Sequence, residues 1–189
     1  MKLILASGSP RRRELLAGLN LDFEVRIIKG IAEDYPGGLS AQEVPVFISR
    51  EKALAYNVAH EEVLLTADTV VVVDGMILGK PQDDSDARRM LRLLSGKTHQ
   101  VVTGVTITTC KEQKSFAVTT DVTFKELADN EIDYYISHCH PLDKAGAYGI
   151  QEWIGYVGVT GIKGSYFNVM GLPVQRIYEE LRLLGVHSE

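Results

Sequence analysis

The sequence predicts an α/β protein in which strand-like and helix-like stretches alternate, packed as one domain or as two small lobes around a cleft. Three observations lead to this class. A short apolar run, Leu3 to Leu5, gives way to helical spacing at Leu15, Leu16 and Leu19. A β-branched run from Val63 to Val73 reads as a long strand. Two later patterns, Ala87, Met90, Leu91, Leu94 and Val174, Ile177, Tyr178, Leu181, Leu184, are those of amphipathic helices. The 189 residues are 45% hydrophobic and 24% charged, ordinary for a soluble chain with a sizeable core. No internal repeat, low-complexity tract or linker interrupts them.

Between the first strand and the first helix lies Ala6-Ser7-Gly8-Ser9-Pro10-Arg11-Arg12-Arg13. Ser9 is a good N-cap and Pro10 suits the first helical position, which puts the three arginines in the first turn. That is the wrong sign of charge, because a helix N-terminus is partially positive and each misplaced cation costs on the order of 0.3–1 kcal/mol when uncompensated. Two readings follow. An anion such as a polyphosphate is gripped by backbone N–H groups, serine hydroxyls and guanidiniums; or the arginines are solvated and paired with acids such as Glu14.

Phe23, Val25, Ile27 and Ile28 form a second β-rich run ending at Gly30, followed by an acidic, Gly/Pro-rich loop that contains Glu33. Ser40 and Glu43 have capping-box spacing, yet Pro45 would break a helix already under way. The helix is therefore expected from Val44 or Pro45 to about Val58. It carries Lys52, for which a solvated helix face is the bland reading. The Val63 to Val73 run stops at Asp74-Gly75, a two-residue hairpin signal, before Met76, Ile77 and Leu78. Asp68 stands inside that run. A carboxylate in an apolar strand is costly unless it is paired, protonated or metal-bound, so Asp68 serves either chemistry or a structural ion pair. Next, Gly79-Lys80-Pro81 places a lysine on a tight loop, as a fixed point charge or as an exposed turn residue.

A helix is expected from Asp84 or Ser85 to Ser95, closed by Gly96. Val101 to Thr109 and Phe116 to Phe124 flank a polar turn and suggest an antiparallel hairpin. Asp129 can cap a short helix with Ile132, Tyr135 and Ile136. His138-Cys139-His140 resembles metal ligands, but three near-adjacent residues seldom converge on one ion and no second cluster completes a tetrahedral set. Asp143 to Gln151 is rich in small residues, fit either for close backbone approach to a ligand or for tight packing around its own ion pair. Trp153 to Val159 reads as β-like, and the last helix starts at Pro173 and ends at Gly185.

The net charge of −5 argues against a general nucleic-acid or anionic-membrane binder, although a local basic pocket is compatible with it. Cys110 and Cys139 are too few for a disulfide framework, and no signal-peptide pattern is present, so a reducing cytoplasm is expected. No apolar run approaches the roughly 20 residues needed to span a bilayer.

Taken together, Ser7-Gly8-Ser9-Pro10-Arg11-Arg12, Ala67-Asp68-Thr69, Gly79-Lys80-Pro81, Asp143 to Gln151 and Gly164-Ser165-Tyr166 with Gly171-Leu172-Pro173 resemble the Maf family. These are cytoplasmic nucleoside triphosphate pyrophosphatases linked to septum formation. The motifs stand in the family's order from Leu3 to about Leu184, as one Maf-like domain spanning residues 1–189. The resemblance implies a long, curved mixed β-sheet flanked by helices, with two lobes around a nucleotide cleft, related to inosine triphosphate pyrophosphatases. It also implies homodimers and a divalent metal, Mg²⁺ or Mn²⁺. By motif position, Ser7, Arg11 and Arg12 should hold phosphates, Lys52 and Lys80 should neutralise the triphosphate, Asp68 should be the general base, and Glu33 should join Asp68 in binding metal. Arg11 with Thr69 and Gln151 looks like the subgroup that hydrolyses dTTP and UTP. Two positions depart from the pattern: Arg13 is a third arginine where the family varies, and Glu152 follows Gln151 where many relatives have glycine.

The chemistry so implied is attack of water on a nucleoside triphosphate, cleaving between the α- and β-phosphates to give the monophosphate and pyrophosphate. An amide such as Gln151, helped by Thr69, can pair with the O4 and N3 positions of uracil or thymine. Three other readings compete: a nucleotide-binding regulator of cell division that does not turn over, a purine-directed inosine triphosphate pyrophosphatase, and a nucleic-acid-binding protein.

Overall fold

A computed structural model describes residues 1–187. Lys2–Leu5 (β1), apolar from Leu3 onward, is followed by Pro10–Ala17 (α1), Phe23–Val25 (β2), Glu43–Leu54 (α2), and the long strand Glu62–Val73 (β3). Then come Met76–Leu78 (β4), Asp84–Leu94 (α3), Thr98–Thr108 (β5), Gln113–Phe124 (β6) and Asp129–Cys139 (α4). Two 3₁₀ turns, Trp153–Gly158 (α5), Val159–Lys163 (β7), Tyr166–Val169 (α6) and Val174–Leu183 (α7) complete the described chain. The strands form one mixed sheet of seven in the order β2-β1-β3-β5-β6-β7, with β4 paired to β3. β1 is parallel to both β2 and β3, whereas β4 and β7 are antiparallel to their neighbours. This is the expected α/β class.

The chain divides into two compact units, and β3, β5 and β6 each pass from one to the other. The first comprises Met1–Asp68, Thr103–Val118 and the chain from Gly171 onward. Its core gathers Ile4, Ala6, Ala53 and Leu64. Helix α2 is seated on the sheet by contact too close for a side chain, since a Cβ on Gly104 would lie 2.2 Å from the Pro45 carbonyl carbon. The second unit is Thr69–Val102 and Thr119–Met170. There Leu91 and Leu94 of α3, Ile132 and Tyr135 of α4 and Ile154 of α5 pack with Val71, Val101 and Phe124 of the strands.

Several boundaries differ from the sequence reading, each for a local reason. Helix α2 begins at Glu43, and the reciprocal bonds of the expected capping-box pair lead into it: Ser40 N–H donates to Glu43 Oε2 at 2.8 Å and Glu43 N–H to Ser40 Oγ at 3.3 Å. Pro45 then falls in the first turn, where no intrahelical N–H is needed. The helix stops at Leu54, short of Val58, and β2 ends at Val25, leaving Ile27 and Ile28 exposed. Residues 153–158, expected to be β-like, are helical: Ile154 and Gly158, four apart, are buried on one face of α5, so packing overrides the β propensity of the segment. Asp74 and Gly75 both take positive φ, +50° and +76°, as the β3–β4 hairpin turn requires.

Candidate active site

In the first unit, the loop after β1 is built as its residues suggest. Ser9 N–H donates to Ser7 Oγ at 3.2 Å, Ser9 Oγ caps α1 by accepting from Arg12 N–H at 3.4 Å, and Pro10 opens the helix. The three arginines do occupy the first turn, with no acid among them. They are not equivalent. Arg12 turns back to the sheet, donating Nη1 to the Ala67 carbonyl and Nε to the Gly171 carbonyl, each at 2.8 Å. Burial lowers its pKa from the ordinary arginine value; Asp68 and Glu33 oppose that fall and Arg11 adds to it, so all three lie within electrostatic reach. Arg13 is exposed, while Arg11 is half-buried.

Lys52 joins two carboxylates. Its Nζ lies 2.8 Å from Asp68 Oδ1 and 2.8 Å from Glu33 Oε1. Asp68 is 9% exposed, so the ion pair supplies the compensation that a carboxylate in an apolar strand needs. The geometry has two supports. Tyr56, one helical turn beyond Lys52, accepts from Ile28 N–H at 3.0 Å and donates to the Arg26 carbonyl at 3.1 Å, fixing the segment that leads to Glu33. Behind the pair runs a buried hydroxyl ladder. Thr66 Oγ1 donates to the Ser49 carbonyl at 2.7 Å, Ser49 Oγ pairs with Thr106 Oγ1 at 2.8 Å, and Thr106 Oγ1 with Ser115 Oγ at 2.9 Å. Thr66 stands two residues before Asp68 on one face of β3, and Ser49 three before Lys52 on one face of α2. The ladder therefore sets the register in which Lys52 meets Asp68. Sequence reasoning missed Ser49, Thr66 and Tyr56, whose partners are set only by the fold.

The second unit holds Thr69, Lys80 and Gln151. Thr69 is half-buried in β3, directly after Asp68, and Lys80 is exposed on the loop after β4. Gln151 sits at the end of the small-residue loop with its Oε1 buried and, among the described residues, without a hydrogen-bond partner. Glu152 beside it accepts from the Tyr135 hydroxyl and pairs with Lys144 Nζ at 3.0 Å. Burial raises the Tyr135 phenol well above its ordinary pKa, and Glu152 adds to the shift, so the hydroxyl keeps its proton. His138 ends α4 with Nδ1 near the Tyr134 carbonyl, and among the described residues no three His, Cys, Asp or Glu side chains are grouped to hold an ion.

A mixed seven-stranded α/β sheet with helices is an architecture shared with a HAM1 protein from Coxiella burnetii, at a TM-score of 0.51 and 14% identity, covering 97% of this chain and 99% of that one. The sequence is far closer to other proteins. A family profile described as Maf-like protein matches residues 2–184, and the chain belongs to the Maf family. It is 60% identical over 185 residues to a dTTP/UTP pyrophosphatase of Phocaeicola vulgatus, covering 97% of this chain and 96% of that protein. Proteins of the same name from Bacteroides fragilis and Porphyromonas gingivalis are 56% and 54% identical, each over 97% of this chain and over 96% and 94% of their own lengths.

Proposed function

We propose that this protein is a nucleoside triphosphate pyrophosphatase that hydrolyses dTTP and UTP at the α–β phosphoanhydride, releasing the monophosphate and pyrophosphate. The observation that carries the reading is the convergence of Asp68 and Glu33 on the Lys52 ammonium, beside a helix start loaded with arginines. The names of the relatives that cover nearly the whole chain support the same substrates. A triphosphate repels an incoming hydroxide, so fixed cations are needed around the reacting phosphates. Arg11 and Lys52 are assigned that role in the first unit and Lys80 in the second. Ser7 adds a hydroxyl donor, and Arg12 both faces the anion and holds the strand end. Asp68 accepts the proton of the attacking water. Gln151 and Thr69 are assigned to the base.

Two convergent carboxylates fit a divalent cation of the Mg²⁺ or Mn²⁺ kind, which takes oxygen donors, commonly one or two carboxylates completed by substrate phosphates and water. Asp68 and Glu33 would hold it, and it would neutralise charge on the transferring and leaving phosphates. The homodimer and the cytoplasmic setting belong to the same proposal and rest on family membership. Among the described residues, no helix is long and apolar enough to cross a membrane.

The test is turnover of UTP, dTTP, CTP and GTP with Mg²⁺ and again with the metal chelated. UTP and dTTP should be hydrolysed, GTP spared, and chelation should stop the reaction. Equal turnover of GTP would overturn the pyrimidine assignment.

A further inference from the structure

The turn that carries Gln151 is held by polar groups buried inside the second unit. Tyr135, fully buried on α4, donates its hydroxyl hydrogen to Glu152 Oε2 and accepts from Gly149 N–H at 2.9 Å. Lys144, 8% exposed, places Nζ 3.0 Å from Glu152 Oε1 and 2.8 Å from Asp143 Oδ1. Glu152 N–H closes back on the Gly149 carbonyl at 3.0 Å, so residues 149–152 form one turn whose first and last members are both bound to Tyr135. The turn has no slack. A Cβ on Gly149 would lie 3.0 Å from both Glu152 Cδ and Lys144 Cε, and one on Gly155 would lie 1.7 Å from the Ile150 carbonyl oxygen. Upstream, Gly146 N–H donates to the Gly79 carbonyl at 3.0 Å, anchoring the loop to the segment that carries Lys80.

A buried lysine and a buried phenol closing on one half-buried glutamate are a poor means of gaining stability, because an apolar replacement of such an ion pair is often neutral or better. What the network does secure is direction. Between its two ends projects Gln151, whose buried Oε1 has no partner among the described residues. A buried acceptor is costly to leave unmade, and one held rigidly selects for a donor.

We infer that Tyr135, Glu152 and Lys144 are positioning residues that set pyrimidine specificity by fixing the Gln151 amide. The inference rests on the assignment of Gln151 to the base. Held this way, Oε1 accepts from the N3–H of uracil or thymine while the amide nitrogen donates to O4. Cytosine presents a lone pair at N3 and an amino group at C4, so the same amide meets it acceptor to acceptor and donor to donor. A turn free to pivot would let the amide rotate and accommodate both bases.

The experiment is a double-mutant cycle on the full chain with Mg²⁺, reading kcat/KM for UTP and for CTP in wild type, Tyr135→Phe, Gln151→Ala and the double variant. Tyr135→Phe should lower the UTP-over-CTP ratio about tenfold through a small misplacement of the amide, and should lower it no further in the Gln151→Ala background. Glu152→Gln keeps the side-chain volume while removing the charge; it should shift the ratio in the same direction and decides the matter should Tyr135→Phe not fold. An unchanged ratio in Tyr135→Phe alongside a collapsed ratio in Gln151→Ala overturns the clamp alone. An unchanged ratio in Gln151→Ala overturns the assignment of Gln151 and the clamp with it. Independent, multiplying effects would mean that Tyr135 does not act through Gln151, and would also overturn the inference.

Discussion

Arg12 Nη1 donates to the carbonyl oxygen of Ala67 at 2.8 Å, tying the first turn of α1 to the residue that precedes Asp68. Its Nε makes a second bond of the same length to Gly171, at the start of the chain's return to the first unit. One guanidinium thus joins three segments distant in sequence. The cationic helix start serves in part to organise the protein.

Arg12→Lys should therefore cost both stability and activity, because an ammonium lacks the planar fork that reaches two carbonyls at once. Urea unfolding should show a loss of about 1.5–3 kcal/mol, the range for hydrogen bonds that involve a charged group. Arg11→Lys should reduce turnover with much less change in the unfolding midpoint. Equal destabilisation by both would contradict the division of roles.

The hydroxyl ladder predicts a contrast between two substitutions at Thr66. Thr66→Ser keeps the bond to the Ser49 carbonyl, whereas Thr66→Val removes it and leaves a buried carbonyl under-satisfied, at a cost of about 1–3 kcal/mol. Because α2 carries Lys52, kcat should fall in Thr66→Val and return in Thr66→Ser. Equal kcat for the two would show that the ladder does not place Lys52 against Asp68.

His99, 1% exposed and edge-on to Phe124 and Tyr148, has its pKa lowered by burial from 6.5 to about 4. Above pH 6.5 neither the folded nor the unfolded chain holds this proton. Between there and about 4 the unfolded chain binds it and the folded chain does not, so stability falls as pH falls, by up to about 1.4 kcal/mol per unit. Urea midpoints at pH 7 and pH 5 should differ less in His99→Gln than in wild type. Parallel pH dependences would contradict this assignment.

The elements that carry local signals were legible in the sequence. Ser9 and Pro10 mark the start of α1, Asp74-Gly75 marks the hairpin, and the β-branched run with one acid inside it marks β3 and Asp68. Helix α5 was not, because Trp153 to Gly158 has β-forming and helix-breaking residues and is made helical by the burial of Ile154 and Gly158. Nor could Arg12 be told from Arg11: which of two adjacent guanidiniums turns toward Ala67 and Gly171 depends on backbone carbonyls that reach it only through the fold. Ser49, Thr66, Tyr56 and Tyr135 stayed silent for the same reason. A hydroxyl carries no pattern of its own until the partner that it meets is known.

The most direct test of the central claim is the product balance of UTP hydrolysis with Mg²⁺, with UMP, pyrophosphate and inorganic phosphate quantified separately in wild type and in Asp68→Asn. One pyrophosphate should appear for each UMP, with no inorganic phosphate, and the variant should be slower by about 10²–10⁴-fold, the usual worth of a general base. Release of inorganic phosphate with UDP, or undiminished turnover by Asp68→Asn, would contradict it.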